Sequence, residues 1–263
     1  MSSSARPQPP SVSSNHTEIE EPPHHIDTLG IVVCGESGSG KSSLINLIAG
    51  TNVAKTSPDA VGCTTGTNVY DSDKLTSRQA GTLKVKLIDT AGLDEGMEGT
   101  VSDKEARKTL KTLLRTQTEQ GNVHLIMYCV RGGKKIQTLR RNYELIRSQV
   151  KSKVPIVLVV TCLEFYRPEM EDWWKVNEKT ISDLRMIFAG HACITTMETE
   201  ELMFVERRNQ SYDAVCNLIK QCCPSNNTAV HTGSLQDTIR GVPMAQRDSG
   251  GWYRRVLATI CLA

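Results

Sequence analysis

One stretch limits the choice of fold more than any other. Gly35-Glu36-Ser37-Gly38-Ser39-Gly40-Lys41-Ser42 matches G-x-x-x-x-G-K-[ST] and lies between an apolar run and an amphipathic segment. Such a junction requires the chain to curl tightly between a strand and a helix, and glycines permit this because they carry no Cβ. The curled backbone turns several amides inward, and the start of the following helix adds partial positive charge. Together these make a cradle for phosphate oxygens. Lys41 is expected to reach the β- and γ-phosphates of a purine nucleoside triphosphate, Ser42 to ligate Mg²⁺, and Ser43 to contact the α-phosphate.

The rest of the pattern alternates strands with helices. Apolar periodicity predicts a strand over 29–34 and a helix over 41–49 with Leu44, Ile45 and Ile48 inward. A strand pair is expected over 67–71 and 82–89, then a helix over 103–120, a strand over 123–130 and a helix over 136–150. Residues 155–161 (PIVLVVT) form a continuous β-branched run, which suits a parallel strand covered on both faces. A helix over 170–188, a short strand over 192–196 and a closing helix over 211–221 complete the domain. This alternation implies a three-layer α/β sandwich with a mainly parallel sheet, whose ligands bind outside the carboxyl ends of the strands.

The chemistry-bearing motifs fall at those ends. Asp89-Thr90-Ala91-Gly92 follows the strand KVKLI, where an acidic residue can hold Mg²⁺ directly or through water. Gly92 allows a backbone amide to approach the γ-phosphate. Between the two motifs, a loop carries Cys63-Thr64-Thr65-Gly66, whose threonine could close on Mg²⁺ when a γ-phosphate is present. Thr65 is favoured over Thr64 for this role. Asp94-Glu95-Gly96-Met97-Glu98-Gly99 reads as a mobile second switch or a solvated acidic loop.

Composition and the termini narrow the class further. A formal charge of +2 over 263 residues requires no nucleic-acid partner, and none is expected. Of nine cysteines, Cys34, Cys129, Cys162 and Cys193 sit in or beside apolar runs, and the adjacent Cys222 and Cys223 lack a second pair at zinc spacing. An odd count without a signal peptide points to a reducing, cytoplasmic setting. Residues 1–27, rich in Ser, Pro and His, are expected to be disordered, 28–222 to form the domain, and 223–263 to be a flexible tail. In that tail Trp252, Val256 and Ile260 share one helical face, which suits a weakly docked end or a peripheral membrane contact helped by Arg254 and Arg255.

With these pieces in order, the domain resembles the translation-factor-related P-loop GTPases. It is most similar to their septin-related branch, which includes the immunity-associated and chloroplast-envelope receptor GTPases, and to Era-like ribosome-binding domains. The segments YCVRGGKK, VPIVLVVTCLE and MEDWWKVNE also resemble G-domain proteins of mushroom-forming fungi. The resemblance covers about residues 28–222 and implies a G-domain fold, GTP or GDP as ligand, and Mg²⁺. The family's base motif is N/T-K-x-D, whose acidic residue accepts hydrogen bonds from guanine N1 and N2. Here it reads Thr161-Cys162-Leu163-Glu164, so Thr161 and Glu164 are expected nucleotide contacts. Cys162 lacks the stem of the family's lysine, and the last guanine-facing loop would correspond to Thr195-Thr196.

Ras-type members orient water with a glutamine directly after D-T-A-G, where this chain has Leu93. Slow intrinsic hydrolysis is therefore expected, with Lys41 and Thr65 as the catalytic groups and a homodimer or activating protein as accelerator. Arg131-Gly132-Gly133-Lys134-Lys135 reads as a solvated basic loop in preference to a contact with phosphate or a second protomer. Trp173 and Trp174 could anchor a partner, although adjacent helical positions place at least one toward the core. Three functions stay open at this point: a GTP-hydrolysing switch, a scaffold holding GTP as a structural ligand, and a P-loop ATPase or kinase.

Overall fold

In a computed structural model, which describes residues 28–56, 66–76, 82–93 and 103–223, strands and helices alternate. They are β1 (Leu29–Gly35), α1 (Lys41–Ala49), β2 (Asn68–Thr76), β3 (Thr82–Asp89), α2 (Asp103–Glu119), β4 (Leu125–Arg131), α3 (Ile136–Val150), β5 (Ile156–Thr161), α4 (Asp172–Asp183), β6 (His191–Cys193) and α5 (Leu202–Cys222). The sheet order is β2-β3-β1-β4-β5-β6. All neighbours pair in parallel except β2, which runs antiparallel to β3 at one edge. The expected three-layer sandwich is the observed fold.

The core splits cleanly across the sheet because side chains alternate between faces. Val32 and Cys34 of β1, Ile126, Tyr128 and Val130 of β4, and Leu158 and Val160 of β5 face the layer of α2, α3 and α4. Their sequence neighbours Ile31, Val33, Leu125, Met127, Val157 and Val159 face α1 and α5. Every residue of β5 is buried, as a doubly covered central strand requires.

Four elements depart most from the sequence reading. The predicted helix over 170–188 is shorter, because Arg185 takes a left-handed φ of 57° and turns the chain toward β6. Met186 and Phe188 prolong the apolar run past the helix end but are buried in this connection, Phe188 packing on Tyr143 with ring centroids 5.1 Å apart. The closing helix begins at Leu202, well before 211, since its inward positions include the polar Arg207 and Ser211 and break the apolar period. The last strand stops at Cys193, beyond which Thr195 bonds to Glu164 and to α5 instead of continuing the ladder. The second strand runs on to Thr76 through a register irregularity between Ser72 and Leu75.

Thr64, Thr65, the run from Asp94 to Gly99, residues 1–27 and the tail beyond Cys223 lie outside the described residues. Among the described residues no helix is long and apolar enough to cross a membrane.

Candidate functional site

The order of strands reverses around β1, which has β3 on one side and β4 on the other. At such a point the connections leave in opposite directions and open a crevice beyond the strand ends. The phosphate loop sits there. Gly40 forms the N-cap of α1 with φ 80°, a conformation that side chains disfavour, and a Cβ on it would lie 3.3 Å from Thr161 Oγ1. Glycine is required on both counts.

Lys41 is buried, and its Nζ donates to the carbonyl of Glu36 at 2.8 Å, so the amine arches over the loop that precedes it. Parallel pairing aligns Asp89, the last residue of β3, with Val33 of β1. That register carries the Asp89 carboxylate to the start of α1, where Ser42 Oγ donates to Oδ2 at 2.9 Å. Ser43 follows on the same turn, half-buried. Ser39 Oγ is buried and has no hydrogen-bond partner among the described residues. A buried hydroxyl in that state is costly unless a ligand or water satisfies it, and a phosphate oxygen at the loop would do so.

The donor set also fits Mg²⁺. The pair Ser42–Asp89 offers hard oxygen ligands, and Mg²⁺ commonly takes one or two such groups with the rest of its shell from phosphates and water. Among the described residues no cluster of three or more His, Cys, Asp or Glu offers a separate cage.

The D-T-A-G turn is joined to the phosphate loop by main chain. Leu93 N donates to Gly35 O at 3.0 Å and Ser37 N donates to Leu93 O at 3.1 Å. Gly92 lies so close that a Cβ there would come within 2.7 Å of Ser37 Cα. Thr90 Oγ1 ties the turn back to Val33 O at 3.1 Å. Leu93, directly after the D-T-A-G turn, is fully buried in the core on the α2 side.

Beneath the loop, Cys129 Sγ donates to Ser39 O at 3.2 Å. Burial pushes the Cys34 and Cys129 thiols up to about 12, with the charge of Lys41 pulling the other way. Both therefore stay protonated at neutral pH and act as packing groups. Cys162, grouped in sequence with these buried thiols, is instead half-exposed and adopts a left-handed φ of 61°.

Thr161 is fully buried behind the phosphate loop, and its hydroxyl lies 2.9 Å from Ser39 O and 3.2 Å from Val130 O. It thereby links the end of β5 to the cradle. Glu164, half-buried, accepts from Thr195 Oγ1 at 3.0 Å, so the loops after β5 and β6 meet at one carboxylate. The site thus brings Gly35 to Ser43, Asp89, Gly92, Thr161 and Glu164 to the carboxyl ends of β1, β3 and β5.

The partners of two loop and helix features could not be read from the sequence. The loop after β4, expected to be a solvated basic loop, remains exposed, but Lys134 Nζ pairs with the Glu36 carboxylate of the phosphate loop at 2.9 Å. Only the tertiary pairing of β1 with β4 sets those loops side by side. Trp173 faces inward, as one of the two tryptophans was expected to, and its Nε1 donates to Gly132 O at 2.8 Å. Trp174 stacks on His191 with centroids 3.9 Å apart.

Comparison with known proteins agrees with this geometry. A family model described as 50S ribosome-binding GTPase matches residues 30–162, half of the chain. Among solved structures, a variant of Era from Aquifex aeolicus bound to GDP.AlF4- aligns with TM-score 0.52 and 16% identity. That alignment covers 81% of this chain and 62% of Era, so the chain spans less than two thirds of Era's length. Toc33 from Arabidopsis thaliana in complex with GDP and Mg²⁺ aligns with TM-score 0.52 and 18% identity, covering 74% of this chain and 82% of Toc33. A dimerisation-deficient variant of Toc33 aligns with TM-score 0.50 at the same identity and coverage. At such identities the likeness is one of fold. A search of curated proteins gave no match. The family match over residues 30–162 shows that the chain belongs to the 50S ribosome-binding GTPase family and contains a P-loop G domain.

Proposed function

We propose that this domain binds GTP and GDP with Mg²⁺ and hydrolyses GTP slowly, as a nucleotide-dependent switch. The observation that carries the reading is the meeting of Ser42 Oγ with Asp89 Oδ2 at 2.9 Å beside the phosphate loop. Mg²⁺ bound there would neutralise charge on the phosphates. Lys41 would exchange the Glu36 carbonyl for β- and γ-phosphate oxygens, a stronger bond because both partners are charged. The loop amides and Ser39 Oγ would take further oxygens, and Ser43 the α-phosphate. Glu164 would accept from guanine N1 and N2. The ligands named for Era and Toc33, GDP.AlF4- and GDP with Mg²⁺, support the same ligand class here.

Leu93 supports the slow rate. A fully buried leucine holds no water in line, so this chain lacks that contribution to hydrolysis. A second copy of the chain or an activating protein would supply it. The same observation favours one second reading, a GTP-binding scaffold that does not hydrolyse.

Two measurements test this. GTP should bind at least about tenfold tighter than ATP, and Glu164→Ala should remove most of that preference. Equal binding of both nucleotides by the wild type would sink the guanine assignment. Single-turnover hydrolysis should quicken as protein concentration rises; hydrolysis absent at every concentration would favour the scaffold.

A further inference from the structure

The base end of the site is closed by a ring of hydrogen bonds that includes α5. Glu164 Oε2 accepts from Thr195 Oγ1 at 3.0 Å, and Thr195 N donates to Ser211 Oγ at 3.0 Å. Ser211 Oγ donates to Arg207 O at 2.7 Å, and Arg207 Nη1 returns to Glu164 O at 3.4 Å. The guanidinium does more than close the ring. Nη1 also reaches Tyr166 O at 2.9 Å and Leu163 O at 3.4 Å, while Nη2 donates to Pro168 O at 2.8 Å. Thr195 and Ser211 are fully buried, and Arg207 is 8% exposed.

A planar fork with five donors can hold several carbonyls of one loop at once, which a lysine ammonium cannot do in fixed geometry. Moving that loop would strand a buried charge, so the loop stays where α5 holds it. The carboxylate itself also needs fixing, because the terminal torsion of glutamate is broad and weakly two-fold. The Thr195 hydroxyl supplies that restraint. Cys162, by contrast, has no long stem with which to brace the loop from its own side.

We propose that Arg207, with Thr195 and Ser211, is the positioning set that orients Glu164 toward the guanine base. The inference rests on the proposed guanine recognition by Glu164. Pre-ordering the carboxylate spares the nucleotide the entropy of ordering it on binding. The set therefore acts on discrimination between bases and leaves phosphate binding alone.

The test compares GTP with ITP, which lacks the exocyclic amino group that would donate to Glu164, and with inorganic tripolyphosphate. Affinities are measured by displacement of a fluorescent nucleotide from the full chain. Thr195→Val and Arg207→Lys should each lower the GTP-over-ITP preference about tenfold, the worth of one ordinary hydrogen bond. Thr195→Ser should keep it, and tripolyphosphate affinity should stay unchanged in all three. Thr195→Val is nearly isosteric, so it remains informative if Arg207→Lys folds poorly. Variants that keep the wild-type preference overturn this inference alone. Equal loss of tripolyphosphate binding also overturns it, since the residues would then be structural. A wild type that does not distinguish GTP from ITP removes the guanine reading, and the positioning role with it.

Discussion

The phosphate half of the site and the base half are built in different ways. The phosphate half is a single continuous stretch, Gly35 to Ser43, completed by the D-T-A-G turn through main-chain bonds such as Leu93 N to Gly35 O. The base half has no continuous core. Thr161, Glu164, Thr195, Arg207 and Ser211 come from the end of β5, two loops and α5, and side chains make most of its connections beside the main-chain bond from Leu163 N to Ile194 O. Main-chain bonds survive most substitutions, whereas a side-chain ring loses a member with each one. The phosphate half should therefore tolerate change away from its charged groups and its closely packed glycines, and the base half should be open to tuning.

The largest effect is expected at Lys41. Lys41→Ala should weaken GTP binding roughly hundredfold, because it removes a buried charge-assisted bond to phosphate. Titration calorimetry would measure it, and a loss no greater than that of Glu164→Ala would break the contrast between the halves. Leu93→Gln comes next. Placing glutamine at a fully buried core position should destabilise the domain by about 1–3 kcal/mol without raising the hydrolysis rate. Urea unfolding and single-turnover assays check both parts. Faster hydrolysis at unchanged stability would mean that this position leaves the core and can serve the chemistry. The smallest effect is expected at Lys134, whose side chain is half exposed. Lys134→Ala should cost no more than about 0.5 kcal/mol, less at high salt. A larger loss would make the Glu36 contact a structural part of the phosphate half.

What was legible in the sequence follows the same division. The helix after the phosphate loop and the helix over 136–150 are observed with the expected bounds. For α1 the reason is local: glycines at 40 and 50 take left-handed conformations at both ends, and Gly50 N closes on Asn46 O at 3.0 Å. The closing helix was misjudged because Arg207 and Ser211 point inward to serve the loop after β5, so its first half does not read as amphipathic. Thr195 and Thr196 could be matched only by order along the chain. Thr195 accepts one local bond from Met197 N, but the partners that tie it to the site, Glu164 and Ser211, lie 31 and 16 residues away.

The sequence by itself determined the alternation of strands and helices, the phosphate loop with Lys41 and Ser42, and the acidic groups at 89 and 164. Glycine spacing, apolar period and motif order act over a few residues and can be read there. Tertiary structure alone decided that Leu93 is buried, that Lys134 meets Glu36, and that Arg207 caps the loop carrying Glu164. Each of those depends on parallel strands and a returning helix bringing distant residues together, and a charge or a leucine looks the same in sequence whichever neighbour the fold supplies.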